Sequence, residues 1–282
     1  MIYLLLSIFC SAMIAIVMRL GQEKVSSKLC MIATNYFTCL VMAWVLMGFG
    51  SPFPQEWGLR ATLGMGTFNG FFYMLALILN QYNITRNGVV LPSVFSKMGG
   101  LMIPLLVSIL IFKESPTIFQ FVGFVLSIIS VLVLNYRKEE NGSGGKFMLS
   151  LFALLIAEGC AGIMSKVFNE VGNEVLATHF LLYTFATAFL FSVVVILAKG
   201  ERPGLFELIY GMMIGIPNFM GARFVLRALE TVPAVIVYPA RSVGTIVVIM
   251  LFGTLLFKER LGRQQLAAMG VILVSLVLLN IK

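Results

Sequence analysis

The chain has 282 residues, of which 60% are hydrophobic and 11% charged, and its mean hydropathy is +1.00. Soluble domains carry about 25% charged and about 45–50% apolar residues, so this sequence lacks the polar surface to cover a water-soluble globule of its size. The net charge of +8 would suit nucleic acid in a soluble protein, but the Lys and Arg residues fall mostly in short gaps between apolar runs. The charge therefore reads as membrane topology, with the lipid bilayer as the partner and no nucleic acid.

A helix crossing hydrocarbon needs about 17–25 mostly apolar residues, and ten runs meet this. In chain order they are Ile2–Leu20, Leu29–Phe49, Leu59–Leu79, Val89–Phe112 and Thr117–Tyr136, then Phe147–Val167, Val175–Ala198, Leu205–Leu226, Ala234–Phe257 and Gln265–Ile281. The first has no basic n-region and no small-residue cleavage site, so it is expected to stay as a membrane helix. Turn signals fill the gaps, at Ser51-Pro52-Phe53-Pro54, Asn87-Gly88 and Lys199 to Gly204. The expected fold is an all-α membrane protein of about ten transmembrane helices.

The most polar stretch, Arg137 to Lys146, has linker composition and leaves five runs on each side. Shifting the first half by 145 residues places Phe112-Lys113-Glu114 on Phe257-Lys258-Glu259, Gln120 on Gln265, Ser130 on Ser275 and Leu134-Asn135 on Leu279-Asn280. Apolar matches are cheap in such a chain; these polar ones in register are not. The expected organisation is a repeat over 1–136, a linker over 137–146 and a second repeat over 147–282. Five spans per half make the second copy enter the membrane the other way up, an inverted-topology repeat. Lys24, Lys28, Arg86, Arg137, Lys138, Lys146, Lys199, Arg202, Lys258, Arg260 and Arg263 fall on one side, against Arg60, Lys113 and Lys282 on the other. This imbalance places the linker in the cytoplasm and both termini outside.

Ten spans, two five-span halves and the turn Phe257-Lys258-Glu259-Arg260-Leu261 ahead of a last helix containing Gly270 resemble the drug/metabolite transporter superfamily, EamA-like branch. That resemblance covers the whole chain and implies a carrier; it also implies cytoplasmic termini, opposite to the charge count. A second resemblance lies in Ala157-Glu158 with Lys166 eight residues on, which is similar to the first helix of the small multidrug resistance transporters. There the glutamate binds a proton or a cationic substrate. The first half has Ser11 and Arg19 in the same frame, so the resemblance implies a coupling acid in the second half alone.

Glu158 is the twelfth residue of a 21-residue run, near the bilayer centre, where a charge costs at least about 2.5–3.5 kcal/mol. It must face water, pair with a cation or take up a proton, so it is the candidate for substrate and proton contact, or else a structural ion-pair partner of Lys97 or Arg241. Lys97 and Arg241 occupy near-equivalent places in the fourth and ninth spans, each after a proline, Pro92 and Pro239, expected to weaken helix hydrogen bonding. They would flank a site for an anionic or zwitterionic substrate, or snorkel to the interface. Asn35, Asn69, Asn218 and Tyr238 are polar groups within spans, candidates for substrate contact or for helix–helix bonds. Arg19, Lys166, Arg223 and Arg227 lie close to span ends and are expected to snorkel, and His179 is expected at an interface.

The four cysteines fit no zinc spacing or disulfide framework, and one histidine excludes a multi-histidine metal site. Neither a catalytic constellation nor a phosphate-binding Gly-Lys-Ser/Thr loop is present, so neither an enzyme nor a cofactor is expected. The expectation is a proton-coupled secondary transporter of a small organic metabolite or drug, an exporter working by alternating access, in the plasma membrane (the inner membrane of a bacterium), as a monomer or else a dimer. The alternative is an uncoupled channel or a lipid-flipping protein.

Overall fold

The structure, a computed structural model, describes residues 1–21, 24–87, 90–135, 148–257, 263–279 and 281. The Arg137–Lys146 linker, Lys258 to Leu261 of the turn before the last helix, Asn280, Lys282 and the side chains of Arg86, Asn135, Arg263 and Gln265 lie outside the described residues.

Among the described residues the chain forms ten α-helices: α1 (Ile2–Gly21), α2 (Lys28–Leu46), α3 (Leu59–Asn87), α4 (Val90–Leu110), α5 (Ile118–Asn135), α6 (Met148–Val171), α7 (Ala177–Lys199), α8 (Leu205–Leu229), α9 (Ala234–Phe257) and α10 (Arg263–Leu279). Each coincides with one of the ten apolar runs. Seven helical stretches, in α1, α2, α3, α6, α7 with the 3-10 turn before it, α8 and α9, are long and apolar enough to cross a membrane. The described apolar stretches Phe95–Leu110, Ile118–Ser130 and Met269–Leu279 are shorter. The expected turn at Lys199-Gly200 is a left-handed cap: Gly200, at φ 66°, donates its N–H to the carbonyls of Ile196 and Leu197, a conformation glycine adopts without steric cost.

The helix α3 runs eight residues past the expected end of its run. Its polar tail is held by Asn83, which donates to the Leu79 carbonyl at 2.8 Å and the Ser150 carbonyl at 3.1 Å and accepts from the Ser150 hydroxyl at 2.7 Å. A buried amide bonded on both sides makes helix possible where hydropathy alone ends it.

The chain divides into two compact units, and each draws on both halves of the sequence. One comprises Met1–Met74 with Met164–Thr231, the other Leu75–Ile163 with Val232–Lys282. In the first unit α8 packs on α1 and α2, and α2 on α7. Val17, Met31 and Ile214 form one part of its core, and Phe168 stacks on Phe180 at 4.6 Å. Glycines let the backbones approach. A β-carbon at Gly66 would lie 2.7 Å from Tyr183 Cβ, and one at Gly70 2.8 Å from Thr187 Cβ, both on α7. One at Gly211 would lie 2.6 Å from the Met31 carbonyl, and one at Gly215 2.9 Å from the Asn35 carbonyl, both on α2. Gly66 and Gly70 fall on Gly211 and Gly215 at the same 145-residue shift, a small-xxx-small pattern that the sequence matches above omit.

In the second unit α5 packs on α10 and α4 on α9, around Leu101, Leu105, Phe124 and Val235. The hydroxyls of Ser127 and Ser275 both donate to the Gly123 carbonyl, at 3.0 and 2.7 Å. Glu114 accepts the backbone N–H groups of Ala234 and Val235 at 3.1 Å each, placing a carboxylate on the positive end of α9.

Candidate substrate site

Three glycines bring α4 and α6 together in the second unit. β-Carbons at Gly99, Gly159 and Gly162 would fall against the Leu155 backbone, Ile103 and Pro104 respectively. With the backbones that close, the short Ser96 side chain on α4 spans the gap: its hydroxyl donates to Glu158 Oε1 on α6 at 2.7 Å. The next residue, Lys97, is within electrostatic reach of both Glu158 and Arg241. The Tyr238 hydroxyl on α9 donates to the carbonyl of Gly162, one turn beyond Glu158, at 2.9 Å. Three residues after Tyr238 comes Arg241, whose carbonyl accepts from Thr245 Oγ1 at 2.6 Å.

Four of the seven sequence-predicted residues (Glu158, Lys97, Arg241 and Tyr238) thus fall in one polar cluster built from α4, α6 and α9. Glu158 and Arg241 are half-buried, and Lys97 is exposed on α4. Among the described residues the charged members of the cluster are one carboxylate and two cations. Such a set can hold an ammonium against Glu158 and a carboxylate or phosphate against Lys97 or Arg241.

The other three belong to the first unit. Asn218 donates to Asn35 Oδ1 at 3.0 Å, and Asn69 donates to Thr184 Oγ1 at 3.2 Å, so these amides bond to neighbouring helices. Asn69 is 2% exposed, and its Oδ1 has no hydrogen-bond partner among the described residues. Ser96 was missed in the sequence. Its signal was present, a hydroxyl directly before an intramembrane lysine, but which helix it meets depends on the glycine contacts.

One expectation is corrected. Lys166 does not snorkel: it is 4% exposed and paired with Glu170 on the next turn. The helix α6 continues to Val171, past the hydropathic end of its run, so Lys166 is not terminal. Pro92 is the third residue of α4 as described from Val90, with residues 88 and 89 outside the described residues. Among the described residues, the prolines in helix interiors are Pro104, Pro217 and Pro239. Arg227 behaves as expected for a span end, exposed and 3.2 Å from Glu230.

Comparison with known proteins agrees with this architecture. An uncharacterized protein of Haemophilus influenzae is 24% identical over 272 residues, 92% of this chain and 91% of its own. A protein of known crystal structure shares the fold, with a TM-score of 0.77 at 12% identity over 99% of this chain and 95% of its own. The EamA-like transporter family matches residues 1–136. With seven helical stretches fit to cross a bilayer, this is a multi-pass membrane protein, and its residues 1–136 are similar to the EamA-like transporter family.

Proposed function

We propose that the protein is a secondary transporter of a small amphoteric metabolite, working by alternating access and coupled to protons through Glu158. The observation that carries this is the carboxylate of Glu158, midway along α6, bonded to Ser96 and electrostatically coupled to Lys97 in a cluster with Arg241. A charge within a membrane span is expensive and is found where substrates or protons move. An amphoteric solute matches both signs of the cluster, its ammonium toward Glu158 and its anionic group toward Lys97 and Arg241. Glu158 is then the group at which proton and ammonium exchange, an arrangement that suits export against an inward proton gradient.

The halves are read as inverted repeats. Support comes from the polar matches at a shift of 145 residues and from the glycine pairs Gly66/Gly70 and Gly211/Gly215. Each pair receives the second helix of the other half. Alternating access follows from such a repeat when the two arrangements of its halves exchange.

The test is flux in proteoliposomes with and without an imposed pH gradient, on solutes first selected by thermal stabilisation, since a specific ligand raises apparent stability by mass action. Flux driven by the gradient supports the reading. Flux that ignores the gradient and runs only downhill would replace it with a channel.

A further inference from the structure

In the first unit, residues 47–58 join α2 to α3. Three aromatic residues of this loop, Phe49, Phe53 and Trp57, are 65%, 63% and 72% exposed. Rings of that size cost free energy in water, and apolar groups exposed together mark a contact surface. The loop holds a single charge, Glu56.

The rings are presented by a backbone that is tied down. Tyr183 on α7 donates its hydroxyl to the Pro52 carbonyl, and its ring stacks on that of Phe53 at 6.1 Å. His179 Nε2 lies 3.3 Å from the Ser51 carbonyl, and Asn173 donates to the Trp57 carbonyl at 3.2 Å. At the start of the loop Gly48 and Phe49 both take left-handed backbone, at φ 65° and 57°, which a residue as bulky as Phe adopts at a cost. Much of the ordering that a contact requires is therefore met before the contact is made.

Two observations say what the rings meet. Phe37, Val41, Trp44 and Val45 are exposed at a spacing that puts them on one face of α2, and an exposed apolar face of a membrane span lies against lipid. Phe49 packs edge-on against Trp44 at 5.4 Å, so it carries that face past the end of α2. The two tryptophans of the chain also both lie at this end, Trp44 in the last turn of α2 and Trp57 just before α3. Tryptophan concentrates where hydrocarbon gives way to headgroups, and with one charge in the loop the attraction of anionic lipid adds little.

We propose that Phe49, Phe53 and Trp57 form an anchor that inserts into the headgroup–acyl boundary of the bilayer and contacts lipid at its glycerol and upper-chain region, whatever the charge of the headgroup. The anchor holds the α2–α3 end of the first unit at the interface and is independent of the Glu158 cluster.

The experiment uses the full-length protein in nanodiscs, where both membrane faces are open to solutes. Trp44→Phe keeps a ring against Phe49 and leaves Trp57 as the one tryptophan. Its emission should lie to the blue of tryptophan in water, lose most of its intensity in lipid brominated near the glycerol end of the chains, and lose little to acrylamide added in the water. The same losses are expected in phosphatidylcholine and in phosphatidylglycerol. Adding Phe49→Ser and Phe53→Ser should reverse the order, with acrylamide the stronger quencher; an unchanged order would overturn the anchor. If Trp44→Phe does not fold, the difference between wild type and Trp57→Phe gives the same reading. Strong quenching by acrylamide with none by brominated lipid would overturn the proposal in favour of a surface that faces water and is open to a soluble partner. Quenching by neither would overturn it in favour of a contact between protein chains. Quenching by brominated lipid in phosphatidylglycerol alone would overturn it in favour of attraction by charge.

Discussion

Glu158 carries one carboxylate into the middle of α6, and the surrounding residues set what it can do. Ser96 donates to one of its oxygens, and Lys97 is near enough to attract it. Glu158→Gln keeps the shape and a hydrogen-bond acceptor for Ser96 but cannot ionise. Flux driven by a pH gradient should fall to background, with expression and melting temperature unchanged. Ser11, the counterpart of Glu158 in the first half, carries no charge, and Ser11→Ala should leave most of that flux intact. Normal pH-driven flux in Glu158→Gln would leave the carboxylate a structural partner of Lys97. The Lys166–Glu170 pair differs in kind, because one partner is 4% exposed and the other 39%. Lys166→Met removes the buried charge and leaves a carboxylate that water can reach. Glu170→Ala leaves a buried ammonium without that carboxylate, which costs more. The second substitution should therefore lower the melting temperature further than the first; the reverse order would mean that Lys166 is balanced by other groups. Glu158, Lys97 and Arg241 stood out as candidates in the sequence because charges in hydrocarbon are costly wherever they occur. The environment of Lys166 was not, since hydropathy ended its span at Val167 while the helix runs on to Val171.

Ten apolar runs became ten helices because span length is a physical requirement of the bilayer, and this is why the elements were legible. The contacts between them depend on small residues whose spacing carries little hydropathic signal. Gly66, Gly70, Gly211 and Gly215 are ordinary letters in an apolar run until helix faces are assigned. Gly64 and Gly70, both in α3, give a direct comparison. A β-carbon at Gly64 meets nothing within 4 Å, whereas one at Gly70 falls on the Thr184 carbonyl and on Thr187. Gly64→Ala should leave the melting temperature unchanged or raise it slightly. Gly70→Val should destabilise by about 1–3 kcal/mol through overpacking, lowering the melting temperature or the yield of folded protein. Equal effects would mean that α3 and α7 are not in close contact. The same reasoning covers the far end of α3, which stayed helical beyond its apolar run because Asn83 found Ser150, a partner 67 residues away that no local pattern announces.

For the molecule as a whole, the charge count and the family resemblance give opposite orientations. The linker between the halves decides between them. Ser143→Cys should react with a membrane-impermeant maleimide only after the cells are opened, because that end of the bundle carries the excess of Lys and Arg. Wild type is the background control, with Cys30 and Cys39 buried and Cys10 and Cys160 half-buried. Labelling of intact cells would reverse the orientation and put both termini in the cytoplasm.

The division into compact units also bears on ancestry. Each unit takes helices from both halves: α1 and α2 with α7 and α8 in one, α4 and α5 with α9 and α10 in the other. A half-length chain made alone would own no complete unit, and the glycine faces of its third helix would meet nothing. If the chain arose by duplication, the ancestral half could have folded only against a second copy of itself, inserted in the opposite sense. The consequence can be tested today: residues 1–136 and 147–282, each expressed alone, should be degraded, and expressed together as separate chains they should restore a folded, transporting complex. Stable accumulation of either half by itself would show that fusion joined two already self-sufficient proteins.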